Sequence, residues 1–525
     1  MRRFTLALVF LIGMLGIYGT ASAQLPHKVM KLEELVLGTK AIGFSVFKGA
    51  EPQPFDVILG EAVGNFDSYL ILAGISGGPM ETPLEKVGAV MGMSGSPIFI
   101  DCQDYDSCVA RGTLVGALSY AVGYFIEDGP NALLTPAEYM LGSQFEGYTS
   151  IRQLKSSNYF PKEIKIRDKV FKNLMLFDGL EGRTTTQSFS LCSGFPQSDI
   201  KPGSMVTVFL ANGTVPVGGS GTVTWRDENK IYLFGHPFFG TGMVSYPFTH
   251  ISVADTIQTP LRAYKVPGCS LQTRGAILVD GAHEVAGVIG REVSMVLLRT
   301  HLLIGSGFSL EEWVVPESPL AEEIFTALPV AWAERVLGDI GDISVAYQAR
   351  INIVNEPEIF VRNLVPAEIY EFPFKKVFEV IGKEILGRLN QSRLSYRLES
   401  IQVDIQPVKR RDALVWKKKD VFLSKTKVVP GETAYVNIVL KGFPDETRLM
   451  QISIPIKVPA DFKERTASGA PSLIEILIQD GSKFRYNGKN ILVNLTDVIQ
   501  NINRSVNARV GVIFIRQTLP KTKSD

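Results

Sequence analysis

Short apolar runs separated by turn residues recur along most of this chain and constrain its fold more than any other feature. Runs such as Ala41–Phe47, Phe55–Val63 and Ser68–Ile75 are rich in β-branched and aromatic residues, and glycine, proline, asparagine or aspartate separates them. Residues of the first kind favour strands, and those of the second kind favour turns. The pattern predicts a mainly β protein built from barrels or sandwiches.

Two longer segments have helical rather than strand periodicity. Ser318–Gly338 and Phe374–Ser392 carry apolar residues at spacings of three and four. Beyond them the alternating strands return, and Lys427–Gly442 has the turn-then-strand pattern of an immunoglobulin-like β-sandwich. We predict five parts: a signal peptide (1–23), a β module carrying Ser94 (24–150), a β module carrying His236 (151–305), a mixed helical segment (306–398) and a β-sandwich-like C-terminal domain (399–525).

The first residues have the pattern of a secretory signal peptide. Two arginines precede the apolar run Phe4–Tyr18, and the small residues Ala21–Ala23 follow it. We expect cleavage before Gln24 and a periplasmic or secreted protein. No later run approaches the roughly 20 apolar residues that a membrane span needs, so we expect no transmembrane span in the mature chain.

Composition narrows the class of partner. Of the 525 residues, 45% are hydrophobic and 20% are charged, which is an ordinary balance for globular domains. The net charge of +1 gives no reason to expect a nucleic-acid partner. Residues 401–525 carry 21 Lys and Arg against 12 Asp and Glu. This surplus indicates a solvated basic face or, alternatively, a surface for an envelope partner on the C-terminal domain.

The chain has four cysteines, and two of them lie close together. Cys102 and Cys108 enclose a polar loop between apolar segments, so we predict that they form a disulfide at a hairpin tip. Cys192 and Cys269 either pair or are buried thiols. No C-x-x-C and no His/Cys cluster is present, so we expect neither a metal nor a cofactor.

A sharp bend interrupts the apolar run "VMGMSGSPIFI". Gly92 and Gly95 weaken a strand and indicate a tight turn around Ser94. Such a turn can direct the amides of Gly92 and Ser94 to one point beside the Ser94 hydroxyl, as an oxyanion hole requires. Ser96 precedes Pro97, which favours an extended backbone returning to the strand. The alternative is a Gly/Ser turn without chemistry.

A serine nucleophile needs a base, and the chain has only five histidines: His27, His236, His250, His283 and His301. His236 lies in "YLFGHPFFGTG", where an apolar strand ends and a constricted loop begins. It is therefore the main candidate. The alternative for His236 is a hydrogen-bonded structural histidine.

Four segments resemble the SpoIVB-type serine peptidases. Gly88–Ile100 contains the Gly-Met-Ser-Gly-Ser-Pro signature, and Gly112–Phe125 looks like the hairpin that follows it. Gly219–Gly242 resembles the Gly-His strand end of that family. Gly38–Asn65 looks like the opening of its secreted bacterial relatives. The resemblance extends over about Leu32–Met295.

This resemblance implies a trypsin-like double β-barrel with a serine nucleophile and a histidine base, which fall on Ser94 and His236. In the sporulation peptidase the histidine precedes the serine and a PDZ domain comes first, whereas here the order is reversed and no PDZ-like segment is evident. No aspartate stands at the expected place before the serine. Asp255 and Asp280 are the candidates for a third catalytic member, and the alternative for each is a turn cap.

Two functions follow from these observations. The first is an exported endopeptidase that cleaves peptide bonds of protein or peptide substrates through Ser94 and His236. The second is a non-catalytic envelope scaffold that keeps the peptidase shell and binds a partner through its C-terminal sandwich. Ser45 and Lys48 also fit the S-x-x-K pattern, but the companion motifs of penicillin-recognising enzymes are missing.

Overall fold

The structure is a computed structural model. It describes residues 28–65, 68–122, 131–141, 199–213, 216–259, 263–304, 307–318, 320–337, 343–365, 373–392, 394–409, 414–415, 421–425, 427–442, 449–458, 460, 473–479, 495–506 and 512–518. The predicted signal peptide, His27 and Cys192 lie outside the described residues.

The N-terminal strands form a closed six-stranded antiparallel barrel in the order β1-β2-β3-β6-β5-β4. Side chains along its strands point alternately into the barrel and outward. In β3, for example, Ile71, Ala73 and Ile75 are buried and their neighbours are less buried. The strands are β1 (Lys40–Ser45), β2 (Gln53–Asn65), β3 (Ser68–Ser76), β4 (Ser96–Ile100), β5 (Thr113–Val122) and β6 (Asn131–Pro136).

A second set of strands closes in the same way, because β10 pairs with both β11 and β7. The ring order is β7-β8-β9-β12-β11-β10, and every pairing is antiparallel. The strands are β7 (Met205–Gly213), β8 (Val217–Asp227), β9 (Lys230–Leu233), β10 (Gly242–Gln258), β11 (Ala263–Asp280) and β12 (Val285–Ile289). The predicted mainly β fold with a double-barrel core is confirmed.

The two barrels contact each other through backbone and aromatic side chains. Gly49 and Val253 exchange two backbone hydrogen bonds of 2.8 and 2.7 Å. The rings of Phe99 in the first barrel and Trp225 in the second lie 6.4 Å apart, edge to face. Residues from both barrels therefore belong to one buried apolar cluster at the junction.

The second barrel continues into a larger sheet. β14 adds to β7, and β13, β17, β15 and β16 follow, giving eleven strands in all. The β13–β14 hairpin spans the predicted boundary at residue 305, and β17 crosses the one at residue 398, so one sheet runs across both boundaries. The added strands are β13 (Met295–Ile304), β14 (Gly307–Pro316), β15 (Ile343–Ile353), β16 (Ile359–Val365) and β17 (Leu398–Lys409).

Both predicted helical segments contain helices, and the second has a π-helical turn, Val380–Leu386, in its middle. Buried apolar residues of these segments pack in the same cluster as the extended sheet. The described helices are α1 (Leu84–Val87), α2 (Tyr105–Arg111), α3 (Ala137–Met140), α4 (Ala321–Leu337), α5 (Pro373–Glu379), α6 (Gly387–Gln391) and α7 (Leu495–Val506), with a 3-10 turn at Leu32–Glu34.

The described C-terminal strands form a four-stranded sheet and a separate two-stranded hairpin. The sheet contains β18 (Leu414–Val415), β19 (Val421–Leu423), β20 (Thr433–Gly442) and β21 (Leu449–Lys457), and the hairpin pairs β22 (Leu473–Gln479) with β23 (Val512–Thr518). The immunoglobulin-like sandwich for residues 399–525 stays a prediction.

A disulfide joins Cys102 and Cys108. The segment between them is not a simple hairpin tip, because α2 begins there and Asp104 caps it by accepting a hydrogen bond from the Ser107 amide. Cys269 in β11 is also disulfide-bonded. Among the described residues, no helix is long and apolar enough to span a bilayer.

Candidate functional site

The Ser94 turn lies directly before β4, and two glycines give it its shape. Gly92 has φ +94° and Gly95 has φ +93°, a left-handed backbone that residues with a Cβ adopt at a cost. A Cβ on Gly95 would lie 1.9 Å from the Thr222 carbonyl oxygen and 2.5 Å from the Phe234 amide nitrogen. Glycine is therefore required there by close approach as well as by backbone conformation.

The turn lies between the two barrels and forms hydrogen bonds to both. The Ser94 carbonyl accepts a hydrogen bond from the Thr222 amide of β8 at 2.8 Å. The Gly95 amide donates to the Leu118 carbonyl of β5 at 2.7 Å, and the Gly95 carbonyl accepts from the Thr224 hydroxyl at 2.7 Å. Ser94 itself is half-buried. Its hydroxyl makes no hydrogen bond to any residue that the structure describes.

Ser96 fixes the peptide that carries the Ser94 amide. The Met93 carbonyl accepts hydrogen bonds from the Ser96 amide at 2.8 Å and from the Ser96 hydroxyl at 2.6 Å. Because C=O and N–H point in opposite directions across one peptide, the Ser94 N–H points away from Ser96. Ser96 is completely buried, so it stabilises the turn from within the protein interior.

The peptide that carries the Gly92 amide is fixed in a similar way from the second barrel. The Met91 carbonyl accepts a hydrogen bond from the Lys265 amide of β11 at 3.1 Å, which orients the Gly92 N–H. Within the described part of the chain, neither the Gly92 amide nor the Ser94 amide donates to any acceptor. The turn that carries the Ser94 hydroxyl thus also carries two amides without a described acceptor, and an oxyanion hole needs such a pair of donors.

His236 follows β9 and lies at the same junction. Phe234 before it has φ +70°, a strained conformation for a large side chain. The His236 ring lies 5.4 Å from the Tyr120 ring of β5 and 6.0 Å from the Phe234 ring. The Gly235 carbonyl accepts a 2.5 Å hydrogen bond from the Thr135 hydroxyl of β6. The first barrel therefore helps to place a histidine that belongs to the second.

The hydrogen bond of His236 defines its tautomer. Nδ1 lies 2.8 Å from the Pro237 carbonyl oxygen, and a carbonyl only accepts, so Nδ1 carries a proton. Burial lowers the pKa of His236, while the bond to Pro237 and the negative charge of Asp280 act against that effect. A neutral imidazole protonated on Nδ1 leaves the Nε2 lone pair available as a base.

Asp280 lies at the end of β11, completely buried. Its carboxylate accepts hydrogen bonds from the amides of Phe238 at 2.7 Å, Phe239 at 2.9 Å and Thr241 at 3.2 Å, and from the Thr241 hydroxyl at 3.1 Å. A buried carboxylate is stable only with such partners. Asp280 therefore organises the loop that follows His236.

Asp280 and His236 meet across one peptide group rather than directly. The Phe238 N–H that donates to Asp280 and the Pro237 C=O that accepts from His236 belong to the same peptide. Hydrogen bonds in such a chain polarise one another. The Asp280 carboxylate is thus connected to the imidazole through the backbone, and Nδ1 donates to the Pro237 carbonyl, whereas in a Ser-His-Asp triad it donates to an aspartate.

Asp255, the other candidate for a third member, has different partners. It is an exposed residue of β10, and its carboxylate pairs with Lys48 at 3.5 Å and accepts from the Thr256 amide at 3.0 Å. Its described polar contacts do not include His236.

Two other histidines have their own partners. His283 lies beside Tyr139, with ring centres 5.2 Å apart, and His301 Nδ1 lies 2.8 Å from the Asp404 carboxylate. Within the described residues, no group of three or more His, Cys, Asp or Glu is arranged to hold a metal ion.

Lys265 is the residue at this site that the sequence did not indicate. Its Nζ lies 2.7 Å from Ser45 Oγ and 3.2 Å from the Gly92 carbonyl oxygen. Burial lowers the pKa of the Lys265 amine to about 7. The Ser45 of the S-x-x-K pattern therefore contacts Lys265, whereas Lys48 pairs with Asp255. The local sequence does not distinguish this lysine, because β11 also carries the charged residues Arg274 and Asp280.

The chain matches no protein-family model, no curated protein and no solved structure.

Proposed function

We propose that this chain is an exported serine endopeptidase with Ser94 as nucleophile and His236 as general base. The amides of Gly92 and Ser94, which have no described acceptor and belong to the same turn as an unbonded serine hydroxyl, carry the proposal. Preorganised amides of this kind stabilise the negative charge that develops in acyl transfer and are worth about a hundredfold or more in rate.

The steps follow from the roles of these groups. His236 Nε2 takes the proton from Ser94 Oγ as that oxygen attacks the carbonyl carbon of a peptide bond. The carbonyl oxygen becomes negative and accepts hydrogen bonds from the Gly92 and Ser94 amides. The imidazolium then gives its proton to the departing amine, and water activated by His236 hydrolyses the acyl-enzyme.

The Pro237 carbonyl supports the second half of that cycle. When Nε2 gains a proton, His236 becomes positive and its Nδ1–H bond to the Pro237 oxygen strengthens. The buried charge of Asp280, one peptide away, also favours the imidazolium. These contacts supply the orientation and charge stabilisation that a directly bonded aspartate provides elsewhere.

Family, compartment and substrate belong to the same proposal. A trypsin-like arrangement of the barrels and membership of the SpoIVB-type family fit the two closed barrels and the Gly-Met-Ser-Gly-Ser-Pro turn. The Cys102–Cys108 disulfide fits an oxidising compartment such as the periplasm. The substrates would be proteins or peptides, and an envelope partner at the C-terminal domain remains part of the proposal.

A non-catalytic scaffold is the second candidate, and one observation favours it. The His236 imidazole bonds to Pro237, and within the described residues the Ser94 hydroxyl bonds to nothing, so nucleophile and base are not hydrogen-bonded to each other. In enzymes without substrate this bond is often long and tightens on binding.

A fluorophosphonate probe separates the two candidates. We expect the purified mature chain to be labelled on Ser94, and we expect Ser94→Ala and His236→Ala to lose labelling while remaining folded, since nucleophile and base act as one unit. Ser309→Ala is the matched control, because Ser309 lies on β14, outside both six-stranded barrels. Absence of labelling in folded wild-type protein would favour the scaffold.

A further inference from the structure

The buried amine of Lys265 lies beneath the Ser94 turn. Only 5% of this residue is exposed, and the amine comes from β11 of the second barrel. Its two polar contacts are Ser45 Oγ of β1 and the Gly92 carbonyl oxygen. No described carboxylate pairs with it. An isolated buried ammonium is costly, so a lysine in such a place needs a specific explanation.

The number of hydrogen-bond partners fits a neutral amine. A neutral amine has two N–H groups, and Lys265 has two acceptors, Ser45 Oγ and the Gly92 oxygen. An ammonium would carry a third N–H, for which the described residues offer only the face of Phe47, whose ring centre is 5.6 Å from Nζ. Burial lowers the pKa of the amine in the same direction.

Three hydroxyls extend this contact into a closed network. Thr222 Oγ1 also donates to the Gly92 oxygen, at 2.8 Å, and lies 3.3 Å from Ser45 Oγ. Ser96 Oγ lies 2.9 Å from Ser45 Oγ. The network therefore connects the Gly92 carbonyl to Ser96, the residue that fixes the next peptide of the turn.

Lys265 acts on two consecutive peptides of the turn. Its backbone N–H binds the Met91 carbonyl, and its Nζ binds the Gly92 carbonyl. The first contact orients the Gly92 amide directly. The second keeps the Gly92–Met93 peptide in place, and that peptide connects the Gly92 amide to the Ser94 amide.

We propose that Lys265 is a positioning residue: its amine, shared between Ser45 and the Gly92 carbonyl, fixes the turn so that the Gly92 and Ser94 amides stay directed at one point. Its catalytic consequence rests on the proposed peptidase function, whereas its effect on the turn does not. Ser45 has no exposed surface, so its contact with Lys265 is not a second nucleophile and base for a substrate.

Lys265→Met tests the proposal, because it removes the amine and keeps an unbranched apolar side chain. We expect hydrogen–deuterium exchange of the segment 90–96 to become about tenfold faster or more, since fewer contacts restrain its peptides. We also expect fluorophosphonate labelling of Ser94 to slow about tenfold or more, because small displacements of catalytic groups have effects of this size.

Lys48→Met is the control, because it removes an exposed lysine, and it should change neither measurement. If wild-type protein is not labelled, the peptidase proposal fails, and the exchange measurement still decides the role of Lys265. If Lys265→Met does not fold, Ser45→Ala removes one of the two acceptors and should accelerate the same exchange. Unchanged exchange in the folded variant, or labelling that maps to Ser45, would overturn the positioning role.

Discussion

Lys265→Met also has a calculable effect on stability. Burial lowers the pKa of this amine from the usual lysine value of 10.5 to about 7. Below about pH 7 the amine is protonated in both the folded and the unfolded chain, and wild type bears the full cost of burying a charge. Between pH 7 and 10.5 the unfolded chain binds a proton that the folded chain does not, so the stability of wild type rises with pH relative to that of the variant.

The size of this effect follows from the same two values. Each pKa unit corresponds to about 1.4 kcal/mol, so the full cost below the folded-state pKa is about 5 kcal/mol. Between about pH 6 and about pH 9, the free energy of unfolding of wild type should rise by about 3 kcal/mol relative to that of Lys265→Met. The hydrogen bonds that the variant lacks give a constant offset, which cancels in this comparison.

Urea unfolding of both proteins at the two pH values provides the measurement. The midpoints should be followed by tryptophan fluorescence, because Trp225 lies at the barrel junction. Lys48→Met, which removes an exposed ion-paired lysine, should give a difference that does not change over this pH range. A Lys265→Met difference that is equal at both pH values, or that changes with the opposite sign, would refute the buried neutral amine.

Three further outcomes are expected. Gly95→Ala should destabilise the barrels by about 3 kcal/mol in thermal unfolding, because its Cβ would lie 1.9 Å from the Thr222 oxygen; an unchanged melting temperature contradicts this reasoning. Asp280→Asn should lower the free energy of unfolding by at least about 2 kcal/mol, because one amide oxygen cannot accept from four donors. It should also lower the pKa of His236 in an NMR titration, because it removes a negative charge; a raised pKa would show the opposite coupling. Labelling of wild type should decline only below pH 6.5, the usual histidine value, because burial lowers the pKa of His236 and the base stays neutral above it; a decline that begins at higher pH excludes His236 as the base.

Strand and helix positions could be predicted from the sequence because they depend on local patterns. The run Met205–Gly213 is β7, and the segment Ser318–Gly338 contains α4. The extension of the second barrel into an eleven-stranded sheet could not be predicted in this way. It depends on β17 pairing in parallel with β13, about a hundred residues earlier, and no local pattern specifies that partner.

The same distinction applies to the candidate site. The tight turn at Gly92 and Gly95 could be predicted from the sequence, because a left-handed backbone favours glycine. The partner of His236 was not, because it is a backbone carbonyl, and every residue has one. The role of Lys265 depends on how β11 packs against the other barrel, so the residue type alone indicates an exposed charge rather than a buried amine.

The contacts of the turn imply that the proposed chemistry would depend on the assembly of both barrels. Ser94 and its two amides belong to the first barrel, yet the carbonyls of Met91 and Gly92 are fixed by Lys265 of the second. His236 belongs to the second barrel, yet its ring packs on Tyr120 of the first. Neither barrel alone would hold the complete proposed site, because each supplies candidate groups whose orientation depends on contacts with the other. Under the proposed peptidase function, any change that loosens the junction should therefore reduce activity before it unfolds either barrel.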